Sequence, residues 1–252
     1  MSSNHRQDSE NRRVLSSTNL QAGDVLDERY RIIEPLDAGG MGTIVRAEQI
    51  SMKRDVAIKL LHPSMADEEA TVRRFRREID LAKQLVHPNV IQLFDTGQTD
   101  SGSIYLVMEL LEGADLKEVV EQDAPMTAGR AVDIAMQVAD GLTDAHNLGI
   151  IHRDMKPANI FLVKSGHRRS EHVKLLDFGI AKSFQGDETA LTKAGHLVGT
   201  ANYMAPELFL NADPGPYTDI YSVGLIILEM LYGHRVVGGS SMAERVFKHM
   251  KK

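Results

Sequence analysis

The sequence predicts an α+β fold of two lobes, a smaller one rich in β-strands and a larger one that is mainly helical. Short apolar strand patterns occur early in the chain, at Val56–Lys59 and Ile104–Glu109. Long helical patterns come later, at Thr127–Leu148 and Ile220–Tyr232. With 252 residues, of which 42% are hydrophobic, the chain can bury a large core and divide into two lobes.

Composition excludes several classes of protein. The absence of cysteine excludes disulfides and thiolate metal sites. The net charge of −6 gives no general reason to expect nucleic-acid or membrane binding. The apolar stretch at 220–232 is too short to span a membrane, and Glu229 interrupts it. Since the N-terminus lacks a signal-peptide core, we expect a cytoplasmic protein whose residues 1–26 form a disordered polar tail.

A glycine-rich segment precedes the first apolar strand. Residues 36–45 read Leu-Asp-Ala-Gly-Gly-Met-Gly-Thr-Ile-Val, and the following strand ends at Lys59. Small residues let backbone amides approach phosphates, although glycines also serve in ordinary hairpin turns. The candidate nucleotide-binding positions here are Leu36, Ala38, Gly39, Gly40, Met41, Gly42 and Ile44.

A helical pattern and a buried strand follow. Val72, Phe75, Ile79 and Ala82 share one face of a predicted helix, with Glu78 beside that face. The strand at 104–109 then leads into a connector that ends at Gly113.

The second lobe is predicted to begin with helices. Val132, Ala135, Val138 or Ala139, and Leu142 have helical spacing, and this pattern runs into Gly149–Ile151, which we interpret as a short apolar strand. The segments 160–163 and 172–176 are interpreted as a hairpin. The segment at 220–232, apolar on nearly every side, predicts a buried helix that Asp219 caps.

Three short motifs carry the chemistry. They are His152–Asn159, Asp177–Gly179 and Ala205–Glu207, in this order along the chain. Asp154 can accept a proton from a hydroxyl, and Lys156 can reach a migrating phosphoryl group. Asn159 and Asp177 offer hard oxygen ligands that suit Mg²⁺. The alternative is that the two aspartates only cap turns.

Together the three motifs strongly resemble the Hanks-type serine/threonine protein kinases of bacteria. The resemblance implies the bilobal protein-kinase fold, with an N-lobe at 27–108, a hinge at 109–113 and a C-lobe at 114–252. It also implies transfer of the γ-phosphoryl group of ATP to Ser/Thr hydroxyls of a protein substrate, with Mg²⁺, or alternatively Mn²⁺, as the ion. Signal transduction is the expected setting.

The resemblance assigns roles residue by residue. Lys59 matches the lysine that bridges the α- and β-phosphates, and Glu78 matches its ion-pair partner. Thr200 resembles the threonine that contacts the base and the lysine of the catalytic loop. The remaining matches concern the adenosine: Met108 as gatekeeper, Glu109 and Leu111 through their backbones, Asp115 at the ribose, and Ile44, Ala57 and Phe161 around the adenine ring.

Two features depart from the family pattern. Asp37 stands where the family has its first glycine, and the sequence stops at Lys252, before the last C-lobe helices. The arginine that normally pairs with Glu207 is also lacking from the family's place. The chain is therefore expected to be a fragment or a natural short form, prone to self-association. A catalytically weak, kinase-like binding module is the alternative function.

Regulation by phosphorylation is expected in the segment between Asp177 and Glu207. Thr192 falls where related bacterial kinases place a phosphothreonine, and Arg153 can bind a phosphate. The alternative for Thr192 is a loop hydroxyl without a role.

Overall fold

The structure is a computed structural model that describes residues 20–39, 42–61, 79–99, 101–164, 171–178, 201–210, 212–239 and 242–250. The chain divides into two compact units. The first contains Met1–Glu69 and Phe94–Leu110, and the second contains Ala70–Leu93 and Leu111–Lys252. The boundary after Leu110 falls inside the connector predicted at 109–113.

A six-stranded sheet forms the first unit. Its strands are β1 (Val25–Leu26), β2 (Tyr30–Gly39), β3 (Gly42–Gln49), β4 (Arg54–Leu61), β5 (Leu93–Gln98) and β6 (Ile104–Glu109), in the order β1-β2-β3-β4-β6-β5. Tyr30, Ile58 and Tyr105 are fully buried in its core. The strand predicted at 104–109 is confirmed with the same bounds, and that at 56–59 lies within β4.

Ordered structure extends into the predicted N-terminal tail. Leu26 is 1% exposed and pairs with Tyr30, so β1 lies inside the segment 1–26. Burial of an apolar side chain in the sheet core stabilises this short edge strand, and the polar composition of the preceding residues gave no sign of it.

The second unit combines a small sheet with helices. After helical residues at 79–84, its elements are β7 (Gly113–Asp115), α1 (Leu116–Asp123), α2 (Ala128–Asn147), a 3₁₀ turn (Pro157–Asn159), β8 (Ile160–Val163), β9 (His172–Leu175), α3 (Pro206–Phe209), α4 (Pro216–Tyr232) and α5 (Met242–Met250). Strands β7, β8 and β9 pair antiparallel in that order, which confirms the predicted hairpin.

Helix α2 has the predicted extent, and its buried face matches the predicted one only in part: Val138 and Leu142 are buried as predicted, whereas Ala135 is half-buried. The hydroxyl of Thr127 accepts a hydrogen bond from the amide of Arg130 and caps the helix. Val132 is 52% exposed, and Ala139 is exposed as well. The buried positions are Ala131, Ile134, Val138, Gly141, Leu142 and Ala145, which also have helical spacing.

The strand predicted at Gly149–Ile151 does not form. Gly149 adopts a left-handed conformation with φ of 75°, and the amide of Ile150 donates to the carbonyl of Ala145 at 2.9 Å. These are features of a helix C-terminus, where glycine tolerates the positive φ at little cost. The segment therefore terminates α2.

Helix α4 is only partly buried, contrary to the prediction. It begins at Pro216, and the hydroxyl of Thr218 accepts from the amide of Gly215. Asp219 is therefore not its cap. Ile220 and Tyr232 are 55% and 59% exposed, so the apolar composition does not correspond to burial on all sides. Within the described ranges, no helix is long and apolar enough to cross a membrane.

Candidate active site

The loop that follows α2 is built around a buried histidine. His152 Nε2 lies 2.8 Å from the carbonyl oxygen of Leu176, and because a carbonyl can only accept, Nε2 carries the proton. Burial lowers the pKa of His152, which favours the neutral ring. The ring also packs against Phe178, with the ring centroids 4.7 Å apart. His152 thereby ties the loop to the segment that carries Asp177.

Asp219 of α4 fixes the backbone of the same loop. Its Oδ1 accepts from the amide of Arg153 at 2.8 Å, and its Oδ2 accepts from the amide of His152 at 2.9 Å. Asp219 is 1% exposed, so these charge-assisted bonds lie out of water. Asp219 therefore braces the loop backbone, and its predicted role as a helix cap is wrong.

Sequence reasoning missed a third partner of Asp219. His146, in the last turn of α2, places Nε2 2.8 Å from Asp219 Oδ2. The sequence did hold a sign of this contact, because His146 is four positions after Leu142 and next to Ala145, which both lie on the buried face of the helix. Because the residue is polar, a search for apolar periodicity did not include it.

Two residues of the site have left-handed backbones although they are not glycine. Arg153 has φ of 61° and Asp177 has φ of 46°. Such conformations cost on the order of 1–3 kcal/mol each and persist where the surroundings impose them. At Arg153 the bond from its amide to Asp219 supplies that constraint.

Three predicted residues converge at Asp154. Lys156 Nζ lies 2.8 Å from Asp154 Oδ2, and Asn159 Nδ2 lies 3.2 Å from the same oxygen. Asn159 Nδ2 also donates to the backbone carbonyl of Asp154 at 2.8 Å. The carboxylate is 8% exposed and is oriented by these two donors. The geometry thus groups a carboxylate, a cation and an amide within one short loop.

The same contacts orient the amide group of Asn159. Because Nδ2 donates twice to Asp154, Oδ1 is the atom available as an oxygen ligand. Asp177, an exposed carboxylate, follows β9, and the amide of Leu176 donates to the carbonyl of Asn159 at 2.9 Å. One amide and one carboxylate oxygen fit Mg²⁺, which proteins commonly hold through few side chains together with phosphates.

The first unit gathers several predicted nucleotide-binding residues on neighbouring strands. Lys59 of β4 is paired with Ile44 of β3, and Ala57 of β4 is paired with Met108 of β6. Ala57 and Lys59 are two residues apart and therefore face the same side of the sheet. Lys59, Ala57 and Met108 are 8%, 7% and 7% exposed. Glu109 ends β6 beside them.

The glycine-rich segment forms a hairpin between β2 and β3. Leu36, Asp37 and Ala38 are exposed in β2, and Gly39 pairs with Gly42. Gly42 has φ of 153°, and a Cβ there would lie 1.9 Å from the carbonyl oxygen of Leu60. No side chain fits so close to a backbone atom, so this position requires glycine.

The carboxylate of Asp37 is bound to its own hairpin. Its Oδ1 accepts from the amide of Ala38 at 2.8 Å, and its side chain lies at the surface. Asp37, which replaces the first glycine of the family pattern, therefore adds an exposed negative charge to β2 and binds the backbone amide of Ala38.

The remaining adenosine candidates belong to the second unit. Asp115 lies directly opposite Phe161 in the pairing of β7 with β8. Asp115 Oδ1 also caps α1 by accepting from the amide of Glu118 at 2.8 Å. Leu111 precedes β7 and is half-buried. Gly40, Met41, Glu78, Thr192 and Thr200 lie outside the described residues.

Glu207 has a hydroxyl partner. Its Oε1 accepts from Thr218 Oγ1 at 2.6 Å. Arg235, which follows Glu207 in the sequence, has its Nε 3.7 Å from Glu229 Oε1. Glu229 also accepts from the hydroxyl of Tyr203, and burial together with this bond raises the pKa of Tyr203.

Comparison with known proteins agrees with this geometry. The sequence matches the protein kinase domain family over residues 30–252. It is 37% identical to serine/threonine-protein kinase pkn3 of Myxococcus xanthus, over 92% of this chain and 43% of that protein. It is 34% identical to serine/threonine-protein kinase PknB of Mycobacterium tuberculosis, over 90% of this chain and 36% of that protein.

A solved structure has the same fold. The PknI kinase domain of Mycobacterium tuberculosis aligns with a TM-score of 0.71 and 28% identity, over 88% of this chain and 82% of that one. The chain spans less than half the length of the curated relatives pkn3 and PknB.

Proposed function

The chain belongs to the protein kinase domain family, and we propose that it transfers the γ-phosphoryl group of ATP to serine or threonine hydroxyls of proteins. One observation carries the proposal: Asp154 is held by Lys156 and Asn159 in a loop that Asp219 and His152 fix from two sides. Curated relatives named serine/threonine kinases, at 34–37% identity over most of the chain, support the choice of acceptor.

Asp154 is the proposed base. As the acceptor oxygen forms its bond to the γ-phosphorus, the bond from that phosphorus to the leaving oxygen of ADP breaks, and Asp154 takes the hydroxyl proton. The bond from Lys156 to Asp154 Oδ2 keeps a positive charge in the same place, where it offsets charge on the transferred group. Phosphoryl transfer needs little covalent assistance, so this positioning is the main contribution of the loop.

The phosphates of ATP require further positive charge. Lys59 is the proposed side chain for the α- and β-phosphates, and Asn159 and Asp177 would hold Mg²⁺. When bound, the ion would neutralise phosphate charge. The orientation of the Asn159 amide by Asp154 couples the proposed metal ligand to the proposed base.

Incorporation of labelled phosphate tests the proposal. The purified chain is incubated with ATP labelled in the γ-phosphate, Mg²⁺ and a general protein acceptor, and the modified amino acids are identified. We expect phosphoserine or phosphothreonine with the wild type and none with Asp154→Asn. Asp140→Asn, on an exposed position of α2, is the matched control and should retain activity. An inactive wild type, or an active Asp154→Asn, would contradict the proposal.

We also propose that Thr192 is autophosphorylated and that Thr192→Ala lowers activity. A phosphate adds about −1.5 to −2 units of charge, which suits the guanidinium of Arg153. Mass spectrometry after incubation with Mg-ATP checks the site. Unmodified Thr192 in an otherwise active sample would exclude this form of regulation.

The cellular role, the location and the oligomeric state of the protein stay predictions. Signal transduction, a cytoplasmic location and self-association were expected from the sequence and from the family resemblance. Identification of cellular substrates, fractionation of cells and measurement of the oligomeric state would test them separately.

A further inference from the structure

A second buried histidine joins α5 to the last part of the segment between Asp177 and Glu207. His249 is 2% exposed. Its Nε2 lies 3.0 Å from the carbonyl oxygen of Ala201, and its Nδ1 lies 2.7 Å from the hydroxyl of Tyr221 in α4. The ring also contacts Phe209 of α3, with the centroids 5.5 Å apart. One imidazole therefore links three separate segments of the second unit.

The partners of His249 determine its tautomer. The carbonyl of Ala201 has no proton to give, so Nε2 must donate. In the neutral ring Nδ1 is then an acceptor, and the hydroxyl of Tyr221 is its donor. Both buried ring nitrogens therefore have hydrogen-bond partners. A leucine or phenylalanine at this position could form neither bond.

The contact of His249 with the carbonyl of Ala201 is important because of where Ala201 lies in the sequence. Ala201 is fully buried and directly follows Thr200, the residue that the family resemblance places at the catalytic loop. Two residues further on, the hydroxyl of Tyr203 donates to Glu229, and the carbonyl of Tyr203 accepts from Ser222 Oγ at 2.7 Å. Helix α4 thus holds the loop at Tyr203, while His249 of α5 holds it at its first described residue.

We propose that His249 is a positioning residue that fixes residues 201–205 for binding of the protein acceptor. The inference rests on the proposed kinase function, because residues 201–205 directly follow Thr200, which the family resemblance assigns to contact with the base that acts on the acceptor hydroxyl. Without the donor at Nε2, the buried carbonyl of Ala201 loses its partner, and the loop must shift to satisfy it. None of these described contacts of His249 involves a residue assigned to the nucleotide, so we expect the effect on the acceptor.

Steady-state kinetics test the first consequence. For His249→Leu we expect the KM for the acceptor protein to rise about tenfold, with the KM for ATP within about twofold of wild type. His249→Gln keeps a donor for Ala201 and should recover most of this loss. Tyr221→Phe removes only the bond at Nδ1 and should have a smaller effect. His234→Leu, at an exposed histidine, is the matched control.

Two measurements on the protein without substrate separate this proposal from the proposed function. Nitrogen NMR of histidine-labelled protein should show His249 neutral and protonated at Nε2, and Tyr221→Phe should shift its Nδ1 resonance. Hydrogen exchange should show faster exchange at 202–205 in His249→Leu than in wild type, with His249→Gln close to wild type.

The outcomes are distinct. An inactive wild type refutes the kinase function alone, and exchange then decides whether His249 holds the loop. A ring protonated at Nδ1, unchanged exchange in His249→Leu, or an unchanged acceptor KM in that variant would overturn the positioning role. If His249→Leu fails to fold, the comparison of His249→Gln with Tyr221→Phe decides, since only loss of the Nε2 donor should strongly affect the acceptor.

Discussion

The loop at 152–159 and the glycine hairpin at 36–45 are both predicted to serve phosphoryl transfer, yet their backbones are held in different ways. Buried side chains fix the loop: the carboxylate of Asp219 in α4 accepts from its backbone amides, and its own His152 ring donates to the backbone carbonyl of Leu176 after β9. In the hairpin, the conformation depends on strand pairing and on glycine, and its described side chains at 36–38 are exposed.

This difference predicts where substitutions cause damage. Removing a buried charge or acceptor leaves donors without partners, which is costly in a place that water does not reach. Changing an exposed charge in the hairpin alters only electrostatic interactions that water and salt already weaken. Substitutions at positions remote in sequence should therefore disturb the loop. The hairpin should instead be sensitive to the size of the side chains within it.

The largest effect on stability is expected for Asp219→Ala. Its carboxylate accepts from two backbone amides and from His146, so its loss should lower the free energy of unfolding by about 3–5 kcal/mol. Urea denaturation followed by circular dichroism measures the change. Asp213→Ala, at an exposed position shortly before α4, is the control and should stay within about 0.5 kcal/mol. Equal effects of the two substitutions would show that Asp219 does not brace the loop.

An intermediate effect is expected for Gly42→Ala. The added methyl group would meet the carbonyl oxygen of Leu60 at 1.9 Å, so β3 must shift, at a cost of about 1–3 kcal/mol. Nucleotide affinity and the free energy of unfolding should both fall. Gly129→Ala, in the first turn of α2 with open space around it, should be neutral or stabilising. A stable Gly42→Ala variant with normal nucleotide affinity would mean that the hairpin does not depend on this glycine.

The smallest effect is expected for Asp37→Gly. Removing the exposed carboxylate should strengthen ATP binding by about 1 kcal/mol, because its repulsion of the phosphates is screened by water. Asp37→Asn removes the charge and retains most of the shape, so the two variants should agree if charge is the cause. Unchanged or weaker ATP binding in both variants would mean that Asp37 does not face the phosphates. The measurement is a calorimetric titration.

Local patterns predicted most of the fold. The bounds of β6, the hairpin of β8 with β9, and the extent of α2 followed from apolar periodicity. One failure lies where two local signals compete. Apolar Gly149–Ile151 suggested a strand, but the left-handed glycine and the bond from Ile150 to Ala145 make it a helix end.

Motifs predicted the candidate residues of the site, but not how their backbone is held. Asp154, Lys156 and Asn159 are adjacent in sequence, and the structure brings their side chains together. Contacts of His146 and His249 depend on helix packing over separations of 73 and 48 residues, which one sequence does not reveal. The assignment of Asp219 as a helix cap failed because its carboxylate is directed to the loop instead of its own helix.

The most direct test of the central claim compares Asp154→Asn with Asp177→Asn in matched preparations, measuring phosphoryl transfer and ATP binding in the presence of Mg²⁺. The account predicts that Asp154→Asn lowers transfer by about 10²–10⁴-fold with ATP affinity nearly unchanged, since the base acts on the acceptor hydroxyl. Asp177→Asn should weaken both transfer and metal-dependent ATP binding. Equal losses of ATP affinity in the two variants, or full transfer by Asp154→Asn, would contradict the assignment of Asp154 as the base.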